Sequence, residues 1–151
     1  MKPITSSQAL GFAPPRRPAV LCVKGPDGST DMILTHWFSW LNYKRNPMIS
    51  YAMETTASLG LNVEEDSEII LAFPPVKEAL RFRGGIRTAA QGQEKQLPPG
   101  IETAAVSGVP VLVPARCDAI LRCTISGSYK YPFKKVRIYN CNLEEALGED
   151  A

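Results

Sequence analysis

Proline and glycine recur so often in this 151-residue chain that they limit its possible folds more than any other feature. Thirteen prolines and eleven glycines are distributed along the sequence. Proline fixes its own φ and removes a backbone donor, and glycine adopts turn conformations that other residues avoid. The pattern therefore predicts short strands joined by turns rather than long helices.

Apolar and alternating runs between these turn residues predict the strands. The predicted strands are Ala19–Val23, Asp31–Leu41, Met48–Met53, Ile69–Phe73, Cys117–Ser126 and Lys134–Leu143. Two short helices are predicted, one beginning at Thr55 or Thr56 and one at Val76–Arg83. In meander order, these elements predict a mainly β protein with short helices, built as a small closed or split β-barrel, because closure removes exposed strand edges.

The length fits one domain with its own hydrophobic core. Residues 1–15 are predicted to be an N-terminal arm that packs on the body or on a second subunit. Residues 16–143 form the predicted domain. The acidic segment 144–151 is predicted to be a frayed tail, because chain segments without burial lose their order.

Charge and hydropathy exclude several classes of protein. The net charge of +2 is too small to indicate nucleic-acid binding. A run of about 18 apolar residues, which a membrane-spanning helix needs, does not occur in the sequence. The first residues show no apolar signal core, so a cytoplasmic location is expected.

The cysteines give no sign of a metal site. The four cysteines form no C-x-x-C pair, and the chain has a single histidine, His36. A structural zinc site needs closely spaced ligand pairs. Free thiols in a reducing compartment are therefore expected for Cys22, Cys117, Cys123 and Cys141.

Aromatic residues crowd one predicted strand. Trp37, Phe38 and Trp40 are near neighbours, and alternate residues of a strand face opposite sides. These rings fit either a core on one side with a subunit interface on the other, or a wall beside a flat ligand. His36 fits a structural or surface role better than a catalytic one.

Small hydroxyl residues follow the next predicted strand. Thr55, Thr56 and Ser58 stand at the predicted start of a helix. Such a run fits an ordinary helix cap or a phosphate site, because the first backbone N–H groups of a helix are unpaired. A flat surface followed by these hydroxyls suits a flat ring with a phosphate tail.

A basic cluster comes next, formed by Arg81, Arg83, Arg87 and Lys95. It fits either a solvated face or guanidinium groups that reach a phosphate. The adjacent Gly84-Gly85 would allow a ligand to approach the backbone closely. The glycine motifs of dinucleotide-binding folds and P-loops do not occur in the sequence, and neither does a hydrolase triad.

The order of several motifs resembles that of a known family. They are the P-R-R-P-A-V run at residues 15–20, M-I-L-T-H-W-F-S at 32–39, N-P-M-I-S-Y-A-M at 46–53, S-E-I-I-L-A-F-P at 67–74, and A-I-L-R-C-T at 119–124. Each motif is loose, and their order and spacing carry the similarity. The chain resembles the flavin reductase-like family of FMN-binding split β-barrels, which includes flavoredoxin-like proteins.

The resemblance implies a homodimer that binds FMN near the subunit interface. From charge and hydropathy, no membrane or nucleic-acid partner is expected. It places one set of residues beside the flavin ring, namely Thr35, His36, Trp37, Phe38 and Ser39. It places a second set around the ribityl phosphate, namely Met53, Glu54, Thr55, Thr56 and Ser58. Two further contacts are implied at Arg87 and Lys95.

The leading hypothesis is an FMN-dependent oxidoreductase that takes electrons from NADH, NADPH or a protein donor. The flavin performs that chemistry, so no catalytic side chain is assigned. One alternative is an FMN-binding carrier or interaction protein without turnover. Another is a small barrel that serves as an interaction module and has lost FMN.

Overall fold

The computed structural model describes residues 1–10, 17–42, 44–54, 63–88, 97–132 and 135–149. The predicted helix beginning at Thr55 or Thr56 lies outside these residues. The second predicted helix is confirmed, because an α-turn and a 3-10 turn run through residues 76–82. Within the described part of the chain, no helix is long and apolar enough to cross a membrane.

Strands dominate the structure, which confirms the mainly β class. The strands are β1 Lys2–Pro3, β2 Ala19–Lys24, β3 Thr30–Thr35, β4 Phe38–Asn42, β5 Met48–Glu54, β6 Glu68–Phe73, β7 Ile86–Arg87, β8 Thr103–Ala104, β9 Val113–Pro114, β10 Ala119–Lys130 and β11 Val136–Gly148. The helices are α1 Ser6–Leu10 and α2 Val76–Ala79, and 3-10 turns lie at Pro26–Gly28 and Leu80–Phe82.

Nine strands form one antiparallel sheet in the order β4-β5-β11-β10-β6-β2-β3-β7, with β1 added to β11. Strands β8 and β9 form a separate pair. The expected meander order is therefore wrong, since β6 lies between β2 and β10. Turn residues predict where strands end, but they do not determine which strands pair across long separations.

Strand β6 is central because both of its faces are buried. Ile69, Leu71 and Phe73 pack into one hydrophobic cluster, the inner core, which also holds Tyr51 and Tyr139. Ile70 and Ala72 pack into a second cluster, the outer core, on the opposite face of the sheet. The continuous apolar run of this strand follows from burial on both faces.

The sheet curls so that distant strands meet. Phe38 of β4 contacts Phe73 of β6 edge to face, with ring centroids 5.7 Å apart, although three strands separate β4 from β6 in the sheet. Among the described residues, β4 and β7 are the two ends of the sheet and do not pair with each other. The arrangement is a strongly curved sheet that remains open, as in a split barrel.

Two expectations need correction at particular residues. The predicted strand Asp31–Leu41 is two strands, β3 and β4, because the chain bends at His36 and Trp37. The hydroxyl of Thr35 accepts a hydrogen bond from the Trp37 N–H at 3.2 Å, a local bond that replaces the sheet ladder at the bend.

The predicted frayed tail is the second correction. Strand β11 continues to Gly148, where it pairs with both β10 and β1. The acidic residues of this segment suggested disorder. Ala146 and Leu147 are nevertheless buried, and their apolar side chains keep the end of β11 in the sheet. Residues 2–4 of the N-terminal arm pack on the same strand, where the Ile4 N–H donates to the Ala146 oxygen.

Candidate functional site

A surface pocket of about 360 Å³ opens where strands from opposite halves of the sheet approach each other. One side comes from the end of β3 and the bend that follows it. The other side comes from the end of β5. The residues that line the pocket are Ile33, Leu34, Thr35, His36, Trp37, Ala52, Met53, Glu54 and Arg83.

The bend at residues 36–37 is fixed at both of its ends. Thr35 holds its start through the hydrogen bond to the Trp37 N–H. The main-chain oxygen of Trp37 accepts a hydrogen bond from the Ala52 N–H of β5 at 2.8 Å. His36 and Trp37 are exposed at the pocket, and 54% of Trp37 is accessible to solvent. The backbone therefore presents a large ring in a defined place without burying it.

Strand alternation decides what β5 contributes to the pocket. Met53 is buried and belongs to the inner core, as does Tyr51 two residues earlier. Ala52 and Glu54 face the opposite side of the strand. Thr55 follows Glu54 directly in the sequence and lies outside the described residues.

Arg83 supplies a positive charge to the pocket, and the sequence named it only as one member of the basic cluster. It follows the 3-10 turn Leu80–Phe82 and is exposed. Among the described residues, it forms no ion pair with a carboxylate. The sequence signal was present, because Arg83 belongs to the basic cluster and precedes Gly84-Gly85. Arg87 was chosen instead on the resemblance alone.

The remaining predicted residues lie elsewhere or outside the described residues. Phe38 is buried in the inner core, and Ser39 is exposed on β4 away from the pocket lining. Arg87 does not line the pocket either. Its guanidinium binds the buried Asp31 carboxylate with two hydrogen bonds of 2.6 and 3.0 Å, and this bonding raises the pKa of Arg87. The predicted positions outside the described residues are Thr55, Thr56, Ser58 and Lys95.

Of the predicted contacts, the pocket thus brings together Thr35, His36, Trp37, Met53 and Glu54. It combines aliphatic wall, one exposed aromatic ring, a cation and a carboxylate. Within the described residues, no group of three or more His, Cys, Asp and Glu side chains could hold a metal ion. Chemically, the arrangement suits a flat amphipathic ligand that carries an anion.

Structural comparison relates this architecture to flavin-binding proteins. The FMN-binding domain of a flavin reductases-like enzyme from Shewanella baltica OS155 superposes with a TM-score of 0.67 at 16% identity, over 95% of this chain and 74% of that one. Flavoredoxin from Methanosarcina acetivorans gives a TM-score of 0.66 at 14% identity, over 89% and 69%.

A third similar structure is the NADH:FAD oxidoreductase SgcE6 of Streptomyces globisporus C-1027, with a TM-score of 0.64 at 14% identity, over 88% of this chain and 75% of that one. No protein-family model matches the sequence, and no curated protein has significant sequence similarity to it. The chain has the fold of the flavin reductase-like, FMN-binding proteins. The predicted resemblance is therefore confirmed at the level of the fold.

Proposed function

We propose that this protein is a flavin-dependent oxidoreductase of the flavin reductase type and that its cofactor is FMN. The observation that carries the proposal is the pocket where the bend after β3 meets the end of β5. Five residues that the family resemblance implies for a flavin site line this one pocket, although they come from two segments of the chain.

The pocket fits the ring system of a flavin. Its volume of about 360 Å³ lies within the range of roughly 300–1,000 Å³ for small-molecule sites. Ile33, Leu34 and Met53 provide apolar surface, and the exposed Trp37 provides a face on which a flat ring can stack. The Thr35 hydroxyl and the backbone of the bend supply polar contacts for the edge of the ring.

The opposite end of the ligand needs positive charge and hydrogen-bond donors. Arg83 supplies a guanidinium at the pocket. In the sequence, Thr55, Thr56 and Ser58 follow Glu54, which lines the pocket. The Glu54 carboxylate can only accept hydrogen bonds when ionised. It therefore suits the ribityl hydroxyl groups rather than the phosphate, and its neighbours hold the phosphate.

A bound flavin would supply the redox chemistry, namely hydride uptake from a reduced nicotinamide and onward electron transfer. The protein's part is to bind and orient. Trp37 and the aliphatic wall would hold the ring and exclude water from it, and Arg83 would neutralise the phosphate. Direct hydride transfer requires no acid or base from the protein, which agrees with a pocket built for binding.

A flavin titration followed by anaerobic reduction tests the proposal. We expect FMN to bind with a shifted flavin absorption spectrum and quenched fluorescence, and NADH or NADPH to bleach the bound flavin without oxygen. If the protein binds neither FMN nor FAD, the proposal fails. A protein that retains FMN but is not bleached by either nicotinamide is instead a carrier. FAD bound more tightly than FMN would change the assigned cofactor.

We further propose that the protein acts as a homodimer in the cytoplasm. One row of side chains crosses the outward face of three strands, β5, β11 and β10, and continues to Trp37 just before β4. Trp37 lies opposite Ala52, Ala52 opposite Ile138, and Ile138 opposite Tyr129. Trp37 is 54% and Tyr129 is 50% exposed. This apolar row adjoins the pocket and is a suitable surface for a second copy.

Sedimentation measures the assembly directly. We expect a dimer for the native chain and dissociation for Tyr129→Ser, whereas Leu80→Ser, which changes another exposed apolar residue, leaves the dimer intact. A monomeric native chain would refute the proposed assembly without affecting flavin binding.

A further inference from the structure

The hairpin formed by the ends of β10 and β11 concentrates positive charge beside the pocket. Residues 124–142 contain no aspartate or glutamate. Four basic residues occur in the sequence between positions 130 and 137, namely Lys130, Lys134, Lys135 and Arg137. Lys134 lies outside the described residues. A local excess of this size stands out in a chain whose net charge is only +2.

Strand register places two of these cations directly opposite each other. Lys130 pairs with Arg137 across the β10–β11 ladder, so both side chains project from the same face. Like charges in opposite positions destabilise a hairpin unless an anion lies between them. Among the described residues, neither Lys130 nor Arg137 forms an ion pair. Within the described ranges, the guanidinium of Arg137 donates a hydrogen bond to the Ser128 hydroxyl at 3.3 Å.

The same register connects this pair to the pocket. Arg137 is the cross-strand partner of Met53, and Val136 is the partner of Glu54. Both Met53 and Glu54 line the pocket. Because neighbouring residues of a strand face opposite sides, Glu54 projects away from the face that carries Arg137 and Lys130. The nearest carboxylate along the ladder therefore does not neutralise the pair.

The exposed ring of Tyr129 lies on the other face of this hairpin. Tyr129 precedes Lys130 on β10, so its side chain projects away from the face that carries Lys130 and Arg137. The pair therefore presents cations without an adjoining ring, and phosphate groups accept hydrogen bonds from such cations. Because the register places Arg137 opposite Met53, a phosphate bound by this pair can be joined to a ring in the pocket.

We propose that Lys130 and Arg137 form an anion site for the phosphate groups of a nucleotide whose reactive ring occupies the pocket. The inference rests on the proposed function, because the pocket must bind a flavin, a nicotinamide or both. Two ligands of that chemistry are available. The phosphate is either the flavin's own or the diphosphate of the reduced nicotinamide dinucleotide.

The test replaces both cations with glutamine, as Lys130→Gln/Arg137→Gln. The matched control is Lys24→Gln/Arg45→Gln, which removes the same two charges at exposed positions away from the pocket. A charge-conserving variant, Lys130→Arg/Arg137→Lys, separates the loss of charge from a change in packing. Binding of FMN, riboflavin and ADP-ribose is measured by titration for every variant at low and at physiological salt.

Losing hydrogen bonds to a charged phosphate should weaken binding by about tenfold or more. If the flavin phosphate occupies the site, the glutamine pair lowers FMN affinity and leaves riboflavin affinity unchanged. If the dinucleotide occupies it, FMN affinity is unchanged and ADP-ribose affinity falls. The charge-conserving variant should retain binding in either case.

Equal affinities for all three ligands in the glutamine pair and in its control would overturn the proposal. A native protein that binds no flavin but binds ADP-ribose through these cations would instead overturn the proposed function and leave the anion site standing. If the affinity for an acidic protein falls while the affinities for FMN and ADP-ribose do not, the surface is a protein-docking site and the inference is wrong.

Discussion

Phe38 and Phe73 meet edge to face, with 5.7 Å between their ring centroids. This contact joins β4, at one end of the curved sheet, to the central strand β6. Both rings are buried in the inner core. The residue before Phe38 is Trp37, whose position at the pocket depends on where Phe38 anchors β4. Packing in the core therefore determines the geometry of the proposed ring site.

Replacing Phe38 with Ala should lower the free energy of unfolding by about 3–5 kcal/mol, because the change removes a buried ring and leaves a cavity. Flavin affinity should fall as well, since β4 loses its anchor. Urea unfolding and an FMN titration measure the two effects. Val113→Ala, in the outer core, should reduce stability while FMN affinity stays native. If the folded Phe38 variant binds FMN with native affinity, the contact between Phe38 and Phe73 does not determine the geometry of the site.

Arg83→Gln should weaken FMN binding by about 10- to 100-fold, because a hydrogen-bonded cation is lost from the phosphate end. Riboflavin, which has no phosphate, should bind the variant and the native protein equally. Arg45→Gln, at an exposed position away from the pocket, is the matched control. Parallel losses for FMN and riboflavin would place Arg83 beside the ring instead.

Replacing Thr55, Thr56 and Ser58 together with Ala should also reduce FMN affinity selectively. Each hydrogen bond contributes about 1 kcal/mol, and more when the acceptor is charged, so the three hydroxyls account for roughly 2–4 kcal/mol. The comparison of FMN with riboflavin is again decisive. An unchanged FMN affinity would move the phosphate site away from this run.

Arg87→Gln should affect stability more than binding. The change removes a guanidinium that forms two hydrogen bonds to a carboxylate whose side chain is 5% exposed. Breaking a buried ion pair costs about 3–5 kcal/mol, and because Arg87 itself is partly exposed we expect about 1–3 kcal/mol. Thermal unfolding and an FMN titration test this together. A large loss of FMN affinity at native stability would restore Arg87 to the site.

The four buried thiols should make the fold sensitive to alkali. Burial raises the pKa of Cys117 and of Cys141 from 9.0 to about 12, and it raises the pKa of Cys22 and Cys123 as well. Between pH 9 and pH 12 the unfolded chain has lost these protons and the folded chain still holds them. The contribution of these thiols to the free energy of unfolding should therefore be constant below about pH 9 and fall as the pH rises above it.

Urea unfolding from pH 7 to pH 10.5 measures this decline, and a thiol reagent at pH 8 gives an independent readout. All four thiols should be unreactive in the folded protein and reactive in urea, because they are buried and protonated. Replacing Cys117 and Cys141 with Ala should reduce the alkaline slope. If the free energy of unfolding falls equally steeply with pH in the native protein and in this variant, groups other than Cys117 and Cys141 cause the decline.

The sequence predicted the elements whose signals are local. Five consecutive apolar residues at Ile69–Phe73 predicted a strand, and the structure buries both faces of it. The aromatic residues near Trp37 predicted one side of the pocket, because aromatic rings are evident in a sequence whatever the strand register. The short helix after Pro75 was equally local, since proline precedes a run with helical spacing.

What the sequence could not predict depends on long-range pairing. Arg83 and Arg87 are four residues apart and chemically identical. A two-residue strand, β7, pairs Arg87 with Asp31 of β3, and that pairing leaves Arg83 at the pocket. The pairing of β6 with β2 and β10 also depends on long-range contacts. Turn residues determine where the chain reverses, whereas burial of apolar side chains determines which strands lie next to each other.

Strand β1 carries a consequence for the order of folding. Lys2 pairs with Gly148, and a Cβ atom added to Gly148 would come within 2.8 Å of the Ile4 side chain, so backbone and side chain are in close contact there. This pairing joins residues that are nearly the whole described chain apart, and closing so large a loop has a high entropic cost. On a translating ribosome, residues 2–4 must wait for β11 to emerge, so the edge of the sheet beside Ala146 is completed last.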